Sequence, residues 1–457
     1  MKVKALIVSL LVAIAAIASA QQPDSIAAQQ PDTIAKAKLN LVNVDISVLA
    51  HGETRHGGLH SSTTYTEDGQ EVETITRKSA NFLTGKARIA IGYERPGIQA
   101  SVVLQNMAVW GETSSNQLSL YEAWAKLTAR FGGFLQVGRQ ALAYDDERII
   151  GPNDWAMAAK SHDVIRLGYE GYNHKVHAIL AFNQNSSNVI EGGSYYVNGS
   201  QPYKSMIDLW YHYDVPTFPL SASLLFMNVG MQGGDTPKEG HTEHQQLLGT
   251  YVTYQPDRWK FEGSAYHQFG KNENKIPIRA WLFALKATFH PTSQWATTIG
   301  YDYISGDRYF AVPSGGGLGL TRHSVIRGFN TVYGSHHKFY GAMDFFYLST
   351  YYNGFTPGLQ NVFVGAGYKP IPKLSLGAEI HYLATAANID KLKPSLGYEI
   401  ELAAQYEISS ILNLTAGFSY MHGTETMEKL KRAMGDRRLY WGWISLTVSP
   451  RIISHRW

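Results

Sequence analysis

The sequence predicts an all-β fold, a transmembrane antiparallel up-and-down β-barrel of about 18 strands. Three observations carry this: long runs of strict two-residue periodicity, short Gly/Pro turns alternating with longer polar segments, and aromatic residues beside those turns. The run from Leu120 to Phe131 is the clearest. Tyr121, Ala123, Ala125, Leu127, Ala129 and Phe131 fall on one face, and Glu122, Trp124, Lys126, Thr128 and Arg130 on the other. Successive side chains of a strand point to opposite faces. One face is therefore apolar over about ten residues, enough to cross a bilayer as a tilted strand. Strands of a soluble sandwich are nearer five or six residues long.

The first residues read as a secretory signal. Lys2 and Lys4 supply the charge, Ala5 to Ile17 the apolar stretch, and Ala18-Ser19-Ala20 a small-residue cleavage site. That stretch is shorter than the roughly 20 residues a spanning helix needs, and no later run is longer. The expected divisions are a signal peptide (1–20), a flexible periplasmic leader (21–38) and the barrel (39–457). The leader holds a near-repeat, Gln-Gln-Pro-Asp-Ser-Ile-Ala followed by Gln-Gln-Pro-Asp-Thr-Ile-Ala, with no apolar periodicity. With 0 cysteines, neither a lipid-anchored cysteine nor a disulfide is available. The formal charge of +3 falls to +3 − 2 = +1 without Lys2 and Lys4, so net charge selects no partner.

Strands follow in order. The first is Leu41 to Ala50, with Val42, Val44, Ile46 and Val48 outward. A polar loop, His51 to Arg77, leads to a strand with Ala87, Ile89, Ile91 and Tyr93 outward and Lys86 and Arg88 inward. Further outward sets include Ile165/Leu167/Tyr169, Val176/Ala178/Leu180/Phe182, Leu220/Ala222/Leu224/Phe226, Phe283/Leu285/Ala287/Phe289 and Leu374/Leu376/Ala378/Ile380/Tyr382. The last strand is Tyr440 to Val448. Short turns are expected at Pro96-Gly97, Gly132-Gly133, Gly171 to Asn173, Pro216 to Pro219, Pro256-Asp257, Pro291-Thr292, Pro370 to Pro372 and Ser409-Ser410. With both chain ends periplasmic, those turns imply about 18 strands. Lys338 to Leu348 also looks like a strand, and pairing it would give about 20. Asp307 to Ser335, with its Gly-rich run at Ser314 to Gly319, is the candidate for a loop folding inward. Phe131 and Phe134, Tyr169 and Tyr172, Tyr254 and Trp259, Phe289 and Trp295, and Tyr368 and Tyr406 suggest an interfacial girdle.

Several segments resemble a known family. Gly138-Arg139-Gln140, Tyr144 to Gly151, Asp154-Trp155 and Ser161-His162-Asp163 resemble the alginate export family of outer-membrane barrels, its Bacteroidetes branch above all. Phe329 to Gly334, His337 to Gly341, Met343-Asp344 and Leu396 to Leu402 resemble further segments of that branch. The resemblance implies a monomeric eighteen-stranded channel whose basic lumen passes an anionic uronate polymer.

The residues support a similar lumen. Lys86, Arg88, Lys126, Arg130 and Arg166 fall on polar faces, and Arg139 and Arg148 lie near the external ends of their strands. Strict alternation points Arg139 outward, and a bulge would turn it in. Charge facing lipid costs about 2–4 kcal/mol at midplane, so the lumen is its expected place. Two readings stand: an anion-binding stripe, or struts paired with Glu122, Glu170, Glu262, Glu399 and Glu401. Glu379, Glu399, Glu401 and Asp208 make the later strands more acidic, suggesting a field across the pore. The external-loop motif Asp145, Asp146, Arg148, Asp154, His162 and Asp163 also invites a general-base scheme, against the simpler reading of a hydrogen-bonded loop. His51, His56 and His60 match no tight metal motif.

The expected protein is an outer-membrane channel that is not an enzyme. It passes anionic saccharides, of uronate type, or other small anions by passive diffusion. It needs no cofactor and binds no nucleic acid. Its expected partners are outer-membrane lipid, lipopolysaccharide and the barrel-assembly machinery, with the chain itself a monomer. A barrel hydrolase and a plugged structural or adhesive barrel are the rival classes.

Overall fold

The computed structural model describes residues 40–57, 62–65, 71–75, 79–112, 116–184, 202–308, 325–346, 356–389, 391–431 and 437–457. The expected signal and leader, His60 and the Gly-rich run at 314–319 lie outside the described residues.

Eighteen strands form the wall. They are β1 (Leu41–His56), β2 (Ser79–Arg95), β3 (Ile98–Val109), β4 (Gln117–Thr128), β5 (Gly133–Gln140) and β6 (His162–Gly171). Next come β7 (His174–Phe182), β8 (Ser205–Asp214), β9 (Leu220–Gly233), β10 (His241–Tyr254), β11 (Trp259–Gly270) and β12 (Ala280–Phe289). The last six are β13 (Trp295–Ile304), β14 (Leu359–Ile371), β15 (Leu374–Ala384), β16 (Ser395–Ser409), β17 (Leu412–Gly423) and β18, which runs as Arg438–Val448 and then Arg451–Arg456. A small hairpin (Ser62–Tyr65 with Glu71–Ile75) belongs to the first long loop, and a short helix α1 (Glu425–Lys431) to the last.

Each strand pairs antiparallel with the next, and the ring closes where β1 pairs with both β2 and β18. Closure satisfies every ladder and leaves no edge in hydrocarbon. Ser449-Pro450 interrupts β18. Proline has no N–H to give a ladder, so a bulge is where a strand can hold one. Its carbonyl still accepts the Ile46 N–H at 3.1 Å.

The expected short turns join the strands at one end, and the long loops join them at the other. Aromatic pairs ring the short-turn end: Trp259 with Phe289 at 4.6 Å, Trp295 with Tyr368 at 4.2 Å, Phe218 with Tyr254 at 5.0 Å. The chain at 336–346 does not span. It starts as a 3-10 turn (His336–Lys338) and continues through turns inside the ring, which removes the twenty-strand alternative.

Two side chains expected on the lipid face lie inside. In β4 the register shifts opposite Val103 and Leu104, so that Leu120 and Glu122 face them and Tyr121 is the extra residue. This bulge turns Tyr121 inward, buried beneath the Arg88 guanidinium 4.2 Å from its ring. Phe134, expected in the girdle, is also buried on the inner face, where two cations cover it. Leu127 does face outward, but it stands next to the turn at 129–132 rather than at midplane.

A sharper test of facing uses β12, where Leu285 is 65 % exposed on the outer wall and Thr288 bonds Thr298 on the inner one. Leu285→Arg is expected to block insertion, at about 2–4 kcal/mol near midplane, while Thr288→Arg inserts normally. Heat-modifiable migration of the refolded variants checks this, and equal yields would reverse the assignment.

Candidate functional site: a lumen crossed by two inward loops

In the long-loop half of the wall, several inward residues are apolar. Ile179, Met206, Leu225, Met227, Leu247 and Leu282 all point inward and are buried. An apolar inner wall exposed to water is unfavourable, so something must cover it. The cover is the β5–β6 loop, with Leu142, Tyr144, Ile149 and Ile150, and the β13–β14 loop, with Phe329, Tyr340 and Phe346. Of what the sequence suggested as an external-loop motif, Asp145, Asp146, Arg148 and Asp154 therefore lie inside the barrel, His162 faces inward from β6, and Asp163 is on the outer wall.

The two loops are hydrogen-bonded to each other. Gly151 donates to the Tyr333 carbonyl and Tyr333 to the Ile149 carbonyl, each at 3.0 Å, and Ser335 N–H donates to Glu147 O at 2.9 Å. Gly334 sits where the two backbones cross, and a Cβ there would strike the Arg148 carbonyl. The β13–β14 loop is also tied to the wall. Asn330 exchanges two bonds with Gln268 of β11, while within the loop Asp307 accepts from the Arg327 and Gly328 N–H groups at 2.7 and 3.0 Å. Further along, Glu401 accepts the Ala342 N–H at 2.6 Å and Glu399 the Met343 N–H at 2.9 Å. Gly341 (φ +94°) supplies the left-handed residue beside this grip, where a Cβ would meet the Glu399 carboxylate.

Arg148 is the central cation. It is buried, 3.1 Å from Asp302 of β13 and 3.2 Å from Asp146, donates to the Tyr340 hydroxyl at 2.8 Å, and lies 4.0 Å over the Phe339 ring. Asp145, at φ 55°, turns the other way to accept from Trp210 and Ser223. Burial raises its pKa, against those two bonds. At the tip of the loop, Asp154 receives Arg88 and Lys86 from β2, and the Lys86 ammonium also donates to the Asp154 carbonyl at 2.6 Å. A cavity of about 260 Å³ remains inside, lined among others by Asp146, Arg148, Tyr251, Lys286, Lys338 and Tyr340.

The expected basic stripe is thus divided. Lys86, Arg88 and Arg148 are struts paired with loop or wall carboxylates. Arg130 is in the exposed turn after β4, because the strand ends at Thr128. Arg139 is on the outer wall, bound to Asp163 at 2.6 Å, because β5 keeps its register and the expected alternative bulge is absent there. Lys126 and Arg166 alone of the seven project into the lumen with no carboxylate within 4.0 Å among the described residues. Both cover the Phe134 ring, at 4.2 and 5.5 Å. Arg166 also donates to Gln136 and, at 3.5 Å, to Tyr144.

The acidic groups of the motif do not converge on a reaction centre. Asp145 and Asp146 have the partners given above, and His162 bonds the Tyr203 hydroxyl at 3.0 Å. Asp163 follows His162 in a strand and so faces the opposite way. His51 bonds Ser445 and Glu53, His56 bonds Ser79, and no cluster of three metal-ligating side chains occurs among the described residues. The pairing of Arg148 with Asp302, and of His381 with Glu401 at 3.2 Å, joins residues on different elements and had no local signal, whereas Glu379, 2.9 Å from His381, is its i−2 neighbour on the same strand face.

Fold and lumen are those of an outer-membrane β-barrel channel. The family model for alginate export matches residues 105–393, and the chain belongs to that family. The barrel also resembles solved outer-membrane porins of Pseudomonas aeruginosa. For OccK11 (OpdR) the TM-score is 0.58 at 12% identity, covering 90% of this chain and 96% of that one. OccK3 (OpdO) gives the same values. OccD3 (OpdP) gives 0.56 at 11% identity, covering 90% and 92%. At such identity the likeness concerns the fold. No match was found among curated proteins.

Two predictions test the inward loops. Arg148→Met leaves Asp302 buried without its cation, a cost of about 3–5 kcal/mol. The β5–β6 loop is expected to undock, with higher single-channel conductance and protease cleavage within 141–161. Adding Asp302→Asn should restore part of the protection. Lys160 donates to the Gly334 carbonyl at 2.8 Å, and burial lowers its pKa from 10.5 to about 8. Between about pH 8 and 10.5 the docked loop holds fewer protons than the undocked one, so docking strengthens as pH rises through that window. Below it both states are charged and the burial penalty is present in full. Open-channel current noise should fall across the window in the wild type and stay flat in Lys160→Met.

Proposed function

We propose that the channel passes anionic saccharides of uronate type, and smaller anions, by passive diffusion. It does so as a monomer in outer-membrane lipid, inserted by the barrel-assembly machinery after a signal peptide cleaved behind Ala20. The observation that carries the anion reading is the Lys126–Arg166 pair. Of the other cations expected there, Lys86, Arg88 and Arg148 are paired with Asp154, Asp146 and Asp302, Arg139 is on the outer wall with Asp163, and Arg130 is in an exposed turn. Lys126 and Arg166 have no carboxylate so placed among the described residues, and the aromatic face between them holds both toward the pore. In a narrow channel with low-dielectric walls, uncompensated charge concentrates counter-ions. Salt screens over about 8 Å, so the effect needs a restricted lumen, which the inward loops supply. The planar fork of Arg166 suits a carboxylate, and membership of the alginate export family agrees with a uronate.

One observation favours a second reading. The apolar core fills much of the long-loop half, as a plugged structural barrel would require. Planar-bilayer recording separates the two. The wild type should conduct and prefer anions in a salt gradient, and Lys126→Glu/Arg166→Glu should abolish or invert the preference. A silent barrel supports the plug; an unshifted reversal potential ends the anion reading.

A further inference from the structure

We infer that Trp155 is a saccharide-stacking platform inside the channel, recognising the pyranose ring through its C–H face and not its charge. The inference rests on the saccharide reading above and adds a site to it. Large exposed apolar side chains are expected on the outer wall of a barrel, where lipid covers them. On the two inward loops, among the described residues, Trp155 is the large apolar side chain that stays exposed, at 38 %. Its neighbours on those loops, such as Ile149, Ile150, Phe329 and Tyr340, are buried.

The indole is also held rigidly. It stacks on the His337 ring at 4.2 Å with 8° between planes. The rings of His51 of β1 at 5.3 Å, Trp443 of β18 at 4.7 Å and Trp441 at 6.1 Å stand steeply inclined to it. Asp154, the preceding residue, is fixed by Arg88 and Lys86. An ordinary core tryptophan held on three sides would be covered on the fourth, since burying the rest of an aromatic side chain is favourable. Here part of the indole stays open, and groups that bond hydroxyls adjoin it or its stacking partner in the chain. The Asp154 carboxylate and the Lys338 ammonium, the residue after His337, are each 53 % exposed.

A flat apolar face beside a few placed polar groups is the composition of a small-molecule site. A pyranose matches it. One ring face presents C–H bonds made slightly positive by their oxygens, which suits the negative face of an indole, and the equatorial hydroxyls reach the flanking carboxylate and ammonium. A small anion has no such face, so the platform discriminates saccharides from inorganic anions, which the Lys126–Arg166 pair cannot do.

The test uses single-channel block by two probes of equal length, a hexa-uronate and a neutral hexaglucan, on wild type, Trp155→Leu and Trp155→Phe. Leucine keeps an apolar anchor between His337 and Trp443 but removes the π face. Open-channel conductance and reversal potential report the fold and the charge of the pore. The expected result is a residence time shortened about five- to tenfold for both probes in Trp155→Leu, largely kept in Trp155→Phe, with conductance and reversal potential unchanged. Unchanged residence times in Trp155→Leu would overturn the platform, as would a conductance change without loss of residence, which would make the indole a wedge between the loops. The reading beneath it fails differently: if the hexa-uronate gains nothing over the hexaglucan in the wild type while Trp155→Leu weakens both, the platform stands and the anion preference does not.

Discussion

The structure depends on one buried cation. Arg148 joins a loop carboxylate, a wall carboxylate and the hydroxyl of a second loop at a point where all three have left bulk water. A guanidinium in an apolar interior is tolerated when its charge and its donors are met. Meeting them here requires the β5–β6 loop, strand β13 and the β13–β14 loop to be in place together. The position of Tyr340, the crossing at Gly334 and the grip of Glu399 and Glu401 on the next few residues belong to the same closed arrangement. The apolar cluster beneath supplies the attraction between loops and wall, and the Arg148 contacts fix their register.

That arrangement changes what lumen charge means. A barrel wall can carry charge on its inner face at little cost because water solvates it, and sequence alone then suggests a coat of free cations. Once loops fold in, much of that charge is used to hold them. Lys86 and Arg88 pin Asp154, and Glu399 and Glu401 cap backbone N–H groups. Outside this internal pairing stand a cationic pair around Phe134 and a partly exposed indole beside Asp154.

The same fold at 12% identity to the porin OccK11 follows from what a barrel asks of a sequence. The wall needs alternation, a closed ladder and turn chemistry, and many sequences provide those. The inward loops ask for more: glycines where backbones cross and carboxylates at set heights on distant strands. The family segments at 138–163 and 329–344 coincide with these loops rather than with the lipid-facing wall.

Alternation, turn spacing and the proline and glycine positions were sufficient for the barrel and its eighteen strands, because period two and turn chemistry are local. Local signals also placed Lys126 and Arg166 inside. They fail at Tyr121, where one extra residue in a bulge reverses facing, and at Phe134, whose place beside a turn suggests a girdle residue although its ring packs inside. A further local signal is present in the chain. Leu224-Leu225-Phe226-Met227, Ile179-Leu180-Ala181-Phe182 and Leu282-Phe283 are apolar on both faces, and a strand apolar on both faces has something packed inside the barrel. What filled the lumen, and which carboxylate met which cation, was decided by tertiary structure. Arg148 and Asp302, or Glu399 and Met343, meet because closure of the ring brings distant segments to one height, and no periodicity in a sequence records that.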